Sequence, residues 1–362
     1  MKKITSMILA LVFAVSLIGS ASAKTLKIQL TFPKTSYDGQ IVKMWTDRVT
    51  KLTRGELKFE LLSKGEVVGL KETLEAVDKG LVDGGAAWTH YWSNYHPAAM
   101  LFGSPVAGGG IGLSTKSWLA WYFDNGGMEL YDQLWDEMGM NVKGFVMASS
   151  GPEALGWFKE PINSMADFRK YRFRTPPGIP GQTYKDIGVA SVSMGGGDIL
   201  PALEKGTIDA AEWCCPKPDS VFGFQKVLKN YYLQGLHQNV VNGDIYINGD
   251  VYKSLTDHQK YAMEVASEAM ITRNITNRAV ENGKALIDLT ENHGVILHDT
   301  PADYFVEYMN AAQATIAKNA AENAFFKKVY EHMTAHAKIV VPFIAQMETS
   351  DAAIGTAFAS QQ

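Results

Sequence analysis

The amino-acid sequence predicts an α/β protein of two similar lobes, each built around a doubly wound sheet. A helix–Lys-Gly–strand pattern occurs twice, within residues 75–88 and within residues 198–216. Strand-like and helix-like patterns alternate through both halves of the chain, which is typical of sheets covered by helices on both faces. The chain has 362 residues, more than a single hydrophobic core usually spans. One unit used twice therefore indicates two lobes with a site between them.

The two copies correspond at a constant offset of 126 positions, as the difference 202 − 76 shows. An alanine, a Lys-Gly pair, an apolar residue and an aspartate recur in the same order: Ala76, Lys79, Gly80, Val82 and Asp83, then Ala202, Lys205, Gly206, Ile208 and Asp209. Beyond the strand, the first copy has Ala86 and Ala87 where the second has Glu212 and Trp213. Ligands in open α/β sheets lie beyond the carboxyl ends of strands. Only the second copy therefore places a charge and a large ring there.

The first 23 residues have the pattern of an export signal. Lys2 and Lys3 form a basic end, residues 7–18 are an apolar run too short for a stable anchor, and residues 21–23 (Ala-Ser-Ala) are the small residues of a cleavage site. We predict a soluble protein that is cleaved after Ala23 and resides in the periplasm.

The first lobe is predicted to begin β-α-β-α-β. Strands are expected over 25–32, 57–62 and 82–87, with helices over 38–52 and 70–79. The third strand is nearly continuous in small and apolar residues, as a buried parallel strand is. An aromatic cluster follows, and its members Trp88 and Tyr91 are predicted to wall a pocket at the strand end. One or two helices are expected over 117–138.

The second lobe begins after a strand over 142–148, which is predicted to cross between the lobes. A helical turn is expected over 167–170, strands over 171–175, 190–194 and 207–211, and helices over 182–187 and 199–205. Arg172 and Arg174 point to the same face of their strand because the side-chain period is two, and Arg174 lies nearer its carboxyl end. Residues 231–242 return along the interface with polar side chains, among them His237 and Gln238.

A strand over 244–247 leads into a long helix that Thr256 or Asp257 caps and that runs to about residue 293. About 37 residues at 1.5 Å each span roughly 55 Å, so this helix is predicted to be a spine under both lobes. Its expected apolar stripe is Ala262, Val265, Ala269 and Ile275.

A short strand over 295–298 and mostly helical residues 302–347 follow, with a tail from 350. The predicted lobes are 24–146 with about 240–272, and 147–239 with about 273–340; residues 341–362 form a C-terminal helix and tail.

Composition excludes several classes of function. The net charge is −4 without basic clusters, which gives no support to nucleic-acid or anionic-membrane binding. The glycine-rich residues 107–113 lack GxGxxG spacing, and no HExxH, GxSxG or Walker pattern occurs. The two cysteines are adjacent, Cys214 and Cys215. They either form a strained vicinal disulfide or fill space beside the site, and they lack zinc-ligand spacing.

Three motifs resemble one family: YRFRTPPG at 171–178, GWF at 156–158 and GGDILPALEKGTIDAAEW at 196–213. The chain resembles the solute receptors of tripartite ATP-independent periplasmic (TRAP) transporters, almost end to end after the export signal. Within them it is similar to the subgroup that binds 2-oxo and 2-hydroxy monocarboxylates such as pyruvate or lactate. The resemblance implies a two-lobed fold like that of type II periplasmic binding proteins, and delivery of the acid to the TRAP membrane permease.

The resemblance also implies the site residues. Arg174 would grip the substrate carboxylate, while Trp213, Tyr91 and Trp88 would cover the rest of the acid. The metal ligands would be Glu153, which also touches the substrate, Glu212, the carbonyl of Trp213, and Gln238. Glu153 stands where such receptors commonly have glutamine, which leaves the identity of the ion open.

The residue types suit that chemistry. The planar fork of arginine holds a carboxylate with two parallel hydrogen bonds, and oxygen-only ligands suit a hard cation. Two glutamates and a monocarboxylate bring three negative charges. Because buried net charge is costly, we predict Ca²⁺, with Na⁺ as the alternative.

Two other classes of function remain as alternatives. One is an ABC-type periplasmic receptor, and the other is a metal-dependent hydrolase that uses the two glutamates; we predict that the protein is not an enzyme. The helical residues 302–347 exceed what one lobe needs. A homodimer through the C-terminal helices is therefore expected.

Overall fold

The computed structural model describes residues 23–360. The export signal predicted over residues 1–23 therefore lies outside the described residues, apart from Ala23. The secondary-structure elements of the first half are β1 (Lys24–Leu30), α1 (Tyr37–Leu52), β2 (Leu57–Leu62), α2 (Thr73–Asp78), β3 (Gly84–Trp88), α3 (Ala99–Gly103), α4 (Thr115–Asp124), α5 (Gly127–Glu137) and β4 (Val142–Ser149).

The elements over residues 156–232 are shorter, and each of the strands among them has only two to four residues. They are β5 (Gly156–Phe158), α6 (Met165–Phe168), β6 (Arg172–Thr175), α7 (Ile179–Asp186), β7 (Ala190–Ser193), α8 (Gly196–Glu204), β8 (Ala210–Ala211), α9 (Pro216–Phe222) and β9 (Asn230–Tyr232). The chain continues with β10 (Asn242–Asn248), α10 (Gly249–Lys253), α11 (Asp257–His293), β11 (Ile296–His298), α12 (Ala302–Glu322) and α13 (Ala324–Ala359).

Two separate sheets form, as the duplicated unit predicts. The first has the order β2-β1-β3-β10-β4, and the second has the order β11-β9-β5-β8-β6-β7. The neighbours β2, β1 and β3 are parallel, whereas β10 runs antiparallel to both β3 and β4. In the second sheet, β6 is parallel to β7 and β8, and β5 is antiparallel to its neighbours. The two-sheet α/β architecture is confirmed.

The duplicated sequence forms the same local structure twice. After α2, the amides of Leu81 and Val82 donate to the carbonyl of Ala76; after α8, the amides of Thr207 and Ile208 donate to that of Ala202. The repeated glycines, Gly80 and Gly206, have φ of 68° and 66°, a left-handed conformation that glycine adopts without strain. The repeated aspartates each accept a hydrogen bond from the backbone amide of an adjacent strand, at Lys27 and at Arg172.

Within residues 23–360 the chain crosses between the sheets three times, the third time through α11 to β11, and the first two crossings are hydrogen-bonded to each other. The first leaves β4 for β5, and the second returns from β9 to β10. The Ser149 hydroxyl donates to the Asn242 side-chain oxygen at 2.8 Å, and the Ser150 amide donates to the Val241 carbonyl at 2.8 Å. β4 itself lies in the first sheet, so the crossing begins after the strand rather than within it, where the sequence predicts it.

The long helix α11 contributes to the cores of both halves. Met263, Ala266 and Met270 pack in a core cluster with β1 and α1, whereas Leu289 packs in the core around β5 and β9. A capping box at Thr256 and Gln259 begins the helix, and Gly294 ends it. The predicted spine, its 37 residues and its start are confirmed.

Two local predictions about the helices are wrong. Ile275 of the predicted stripe on α11 is 38% exposed. The buried face of the helix instead includes Asn274 and Arg278. The reason is that this face meets polar groups of both halves, which a search for apolar residues misses. The tail expected from residue 350 is helical through Ala359. No helix among residues 23–360 is both long and apolar enough to cross a membrane.

Asp244, in the middle of β10, is fully buried and accepts hydrogen bonds from Tyr131 at 2.6 Å and Thr89 at 2.9 Å. Burial raises the pKa of this carboxyl to about 7. The folded state therefore holds a proton that the unfolded state has lost between about pH 4 and pH 7. Stability attributable to this group must fall as pH rises through that window.

We expect Asp244→Asn, whose amide oxygen keeps both acceptor bonds, to gain stability relative to the unaltered protein between pH 5 and pH 8. The upper limit is about 3 kcal/mol, because about two pKa units of the window lie above pH 5 and each corresponds to about 1.4 kcal/mol. Urea unfolding of both proteins at the two pH values measures the difference. Parallel pH dependence in the two proteins would contradict a buried, ionisable Asp244.

Candidate functional site

The candidate site lies at the carboxyl ends of two adjacent parallel strands. β6 pairs with β8 so that Arg174 is opposite Ala211. Glu212 and Trp213 follow Ala211 directly, at the strand end that the sequence predicts. Because both strands end at the same edge, the guanidinium of Arg174 meets the carboxylate of Glu212.

Arg174 is buried and heavily hydrogen-bonded. Its Nε and Nη2 donate to the carbonyl of Met194 at 3.2 and 3.1 Å, and its Nη1 donates to the carbonyl of Glu212 at 3.0 Å and to that residue's carboxylate. Its guanidinium carbon lies 5.2 Å from the ring centroid of Trp213, within cation–π range. Arginine has five N–H groups, and these contacts engage four of them.

Three buried side chains converge beside this arginine. Glu153, Glu212 and His237 each offer a ligand atom, and these atoms lie within 4.8 Å of one another. Glu212 and His237 are 0% exposed and Glu153 is 5% exposed. Within residues 23–360, the Oε2 atoms of both glutamates and both ring nitrogens of His237 have no hydrogen-bond partner. Buried polar atoms rarely lack a hydrogen-bond partner. A cation bound between these acceptor atoms would satisfy them.

Backbone hydrogen bonds hold the three segments together. The amide of Glu153 donates to the carbonyl of Gln238 at 3.1 Å, and the next amide, of Ala154, donates to the carbonyl of Cys214 at 2.7 Å. The crossing loop before β5, the end of β8 and the segment after β9 thus meet at one point. That meeting explains why residues far apart in sequence form one cluster.

Burial raises the pKa of Glu153 well above its usual value, and the neighbouring Glu212 carboxylate raises it further. A cation held between the two carboxylates would remove both penalties. The donor set therefore fits a bound cation: Glu153 and Glu212 would be its anionic ligands, and His237 lies within reach.

The other predicted residues lie at different distances from this centre. Trp213 packs on Phe222 with ring centroids 4.6 Å apart. Tyr91 approaches from the turn after β3, where burial raises its pKa and the charges of Arg174, Glu153 and Glu212 act on it.

Gln238 is buried, and its side-chain amide donates to Ser104 at 3.2 Å. Trp88 lies against Gly243 of β10, where an added Cβ would come within 3.0 Å of its ring. Trp88 therefore packs against the first sheet, whereas Tyr91 is close enough to the charged centre for its charges to act on the ring hydroxyl.

The prediction of the metal ligands did not include His237. The sequence places it next to Gln238 in the returning segment, but a search for oxygen ligands passes over an imidazole. Its nearest approach to the cluster is 3.6 Å, from its Nε2 to Glu212 Oε2. A rule that accepts histidine beside two acidic strand ends would have found it.

Comparison with known proteins defines the class. Residues 30–323 match the family described as bacterial extracellular solute-binding protein, family 7 (DctP). The chain belongs to this family, whose members are TRAP-type solute receptors located outside the cytoplasm. The resemblance seen in the motifs is confirmed, and the alternative of an ABC-type receptor is set aside. The family is one of solute-binding receptors rather than enzymes.

Particular relatives narrow the comparison. The chain is 31% identical over 298 residues to a monocarboxylate 2-oxoacid-binding periplasmic protein of Nostoc sp. (strain PCC 7120), which covers 80% of this chain and 78% of the relative. It is 25% identical to a TRAP solute-binding protein of Bordetella bronchiseptica RB50, with a TM-score of 0.86 over 94% of this chain and 99% of that one. That crystal structure is a mixed-occupancy dimer with copurified calcium and picolinate in one active site.

A third relative shows the shared fold. It is a TRAP periplasmic solute-binding protein of Pseudoalteromonas atlantica T6c with bound sodium and pyruvate, 22% identical, with a TM-score of 0.82 over 92% of this chain and 98% of that one.

The orphaned carboxylates predict a specific response to Ca²⁺. Glu153→Gln removes a carboxyl whose ionised form is penalised by burial and by Glu212, so at pH 8 we expect the chelator-treated variant to melt about 2–4 °C above the unaltered protein, equivalent to roughly 1 kcal/mol. We also expect Ca²⁺ to stabilise this variant less. For the unaltered protein, stabilisation by Ca²⁺ should grow as pH rises, because Glu153, whose pKa is raised by burial and by Glu212, must lose its proton to bind a cation.

Thermal unfolding with chelator and with Ca²⁺ measures both effects. Glu60→Gln, which neutralises an exposed acid of β2, is the matched control and should behave as the unaltered protein does. Equal Ca²⁺ stabilisation of the Glu153 variant and the control would show that Glu153 does not ligate.

Proposed function

We propose that this receptor binds a small 2-oxo or 2-hydroxy monocarboxylate together with a cation, at the centre formed by Arg174, Glu153 and Glu212. The observation that carries the proposal is the convergence of orphaned carboxylate oxygens beside a buried arginine, at the ends of adjacent strands. The cation bridges protein and acid, and the acid supplies its carboxylate and its 2-oxo or 2-hydroxy oxygen. The 2-oxoacid-binding relative from Nostoc supports this class of ligand.

Arg174 takes the acid's carboxylate after its own partner is drawn away. In the present conformation its Nη1 serves Glu212. Glu153 and Glu212 would hold a cation together, which would loosen the hold of Glu212 on Arg174 and leave an N–H of the guanidinium for the ligand. The ligand and the cation thus bind as a pair. Each balances the charge of the other, which would otherwise be buried without a partner.

The balance of charge favours Ca²⁺ over Na⁺. Two glutamates and one monocarboxylate bring three negative charges, and Arg174 returns one positive charge. Ca²⁺ makes the centre neutral, whereas Na⁺ leaves one net negative charge in a buried place, which is costly. The calcium in the Bordetella bronchiseptica structure supports this choice, and Na⁺ is the alternative. The carbonyl of Trp213 and the side chain of Gln238 complete the oxygen ligands.

Aromatic side chains cover the apolar end of the acid. Trp213 already stacks near the guanidinium, and Tyr91 reaches the centre from the first sheet; Trp88 closes the wall behind it. Since these rings come from both sheets, we infer that the lobes close on the ligand, as in hinge-bending receptors. The closed form is what the TRAP permease subunits recognise. The protein is exported to the periplasm, and its export signal is cleaved after Ala23.

The role of Arg174 can be tested against a matched arginine of the same strand. Arg174→Ala should abolish pyruvate binding in calorimetry with Ca²⁺ present, because the anchoring hydrogen bonds are charge-assisted. Arg174→Lys should bind at least about tenfold more weakly, since lysine lacks the fork. Arg172→Ala is the control, because Arg172 lies on the outside, paired with Asp209.

The unfolding temperature of each variant shows whether it is folded. A folded Arg174→Ala that keeps the original affinity would exclude Arg174 as the carboxylate anchor.

We further propose a homodimer through α13. Large apolar side chains recur along its second half at spacings of four and seven and are at least 60% exposed: Ile339, Phe343, Met347, Ile354 and Phe358. Such a stripe on a long helix is typical of a helix–helix interface. The dimeric relative from Bordetella bronchiseptica supports a second copy of the chain as the partner.

Phe343→Asp should convert a dimer to a monomer in size-exclusion chromatography with light scattering. Ala345→Asp, on the opposite face of the same helix and also exposed, should leave the dimer intact. A monomeric unaltered protein at micromolar concentration would contradict the proposal.

A further inference from the structure

Cys214 and Cys215 lie immediately after Trp213, and their side chains point the same way. Their sulfur atoms are 3.0 Å apart. Both are free thiols, 8% and 5% exposed, so they are buried without being sealed. A disulfide bond is about 2.0 Å long, so a shift of about 1 Å separates this contact from a covalent bond.

A buried cation faces both sulfurs. Arg278 of α11 places its Nη1 at 3.4 Å from the sulfur of Cys214 and 3.5 Å from that of Cys215. Its Nη2 donates to Asp38 at 3.0 Å, and its guanidinium lies 4.8 Å from the ring centroid of Tyr37. Its Nε has no hydrogen-bond partner among the described residues. The two thiols are therefore polar partners of a desolvated guanidinium, and an apolar pair filling space would not suit that position.

The cluster joins elements of both sheets. Tyr37 and Asp38 begin α1, which packs in the core of the first sheet, whereas the cysteines follow β8 of the second. Arg278 on the spine helix contacts both sides. A chemical change at the sulfurs thus acts where the two halves meet.

We propose that Cys214 and Cys215 are a reversible thiol–disulfide modification site, which a disulfide oxidant of the extracytoplasmic compartment closes into a vicinal disulfide, and that closure weakens binding of the acid. The effect on binding rests on the proposed function; formation of the bond does not. Family membership sets the compartment, and disulfides persist in oxidising compartments.

The reaction is disulfide exchange and balances without a further reagent. One cysteine sulfur attacks an oxidant R–S–S–R′, forms a mixed disulfide and releases R′SH, whose hydrogen is the one that the first thiol gives up. The second cysteine sulfur then attacks the mixed disulfide, forms the bond between Cys214 and Cys215, and releases RSH. The two cysteines are oxidised by two electrons, and the oxidant is reduced to two thiols.

Ring closure reaches the acid-binding centre through one peptide group. The ring contains the peptide between the two cysteines, and the carbonyl of that peptide accepts the hydrogen bond from Ala154 at 2.7 Å. Ala154 follows Glu153, and Trp213 precedes Cys214. Constraining this carbonyl therefore displaces the backbone on both sides of the cation ligands. Loss of a group that orients a metal ligand typically costs about 10- to 100-fold in affinity.

Adjacent residues also make the bond easy to reverse. Their Cα atoms are about 3.8 Å apart across a trans peptide, closer than the roughly 4.4–6.8 Å of ordinary disulfides. Strained disulfides are the readily reduced, regulatory kind. The site can therefore return to the dithiol when a reductant is supplied.

Mass spectrometry tests bond formation on the whole protein. The protein is reduced, freed of reductant, exposed to excess glutathione disulfide and then treated with iodoacetamide. We expect an intact mass lower by two hydrogen atoms, without label, and full return to a doubly labelled form after reduction. Two labelled thiols, or a stable glutathione adduct, would overturn the proposal. Cys215→Ser cannot form the ring and should carry a glutathione adduct or one label.

Calorimetry with pyruvate and Ca²⁺ then compares the reduced and oxidised forms. We expect the oxidised form to bind at least about tenfold more weakly, and the affinity of Cys215→Ser to match that of the reduced protein before oxidant treatment. Equal affinities of the two unaltered forms would overturn the coupling to the binding site. If the reduced protein binds no pyruvate, the proposed function itself fails, while the mass spectra still decide whether the disulfide forms.

Discussion

Arg174 and Glu212 meet at the carboxyl ends of two adjacent parallel strands, where neither side chain is open to solvent. Glu153 adds a second carboxylate that no cation among the described residues balances directly. The pairing alone therefore does not satisfy the charges gathered at this edge. A cation and a carboxylate ligand together would, which makes simultaneous binding of ion and acid a consequence of electrostatics.

The duplicated α/β unit shows how one scaffold supports different roles in the two halves. Both copies use the same glycine turn and the same aspartate, which accepts a hydrogen bond from the backbone of a neighbouring strand. The first copy continues into Ala86 and Ala87, which are buried in the first sheet. The second continues into Glu212 and Trp213. The repeated residues are thus structural, and the residues that differ at the strand end carry the chemistry.

The spine helix α11 links this chemistry to the relative position of the halves. It packs into both cores, and between those regions it places Arg278 against Asp38 and the two cysteines. The polar face of the helix therefore lies where the two halves meet. A change at the cysteines would affect both halves of the receptor, because the Arg278 guanidinium contacts the cysteines of one half and Asp38 of the other.

The sequence by itself determined the two-lobed α/β class, the order of most elements, the long helix and the strand-end position of Glu212 and Trp213. Periodicity, capping residues and glycine stops are local signals, and the duplicated motif needs no partner to be seen. Only the tertiary structure decided that His237 joins the two glutamates, that Arg174 is already bonded to Glu212, and that Arg278 faces the cysteines. These contacts join residues from 25 to 84 positions apart, as the differences 237 − 212 and 237 − 153 show, and no local pattern encodes them. The buried face of α11 was misplaced for the same reason: polar partners from both sheets orient it, and these partners lie far away in the chain.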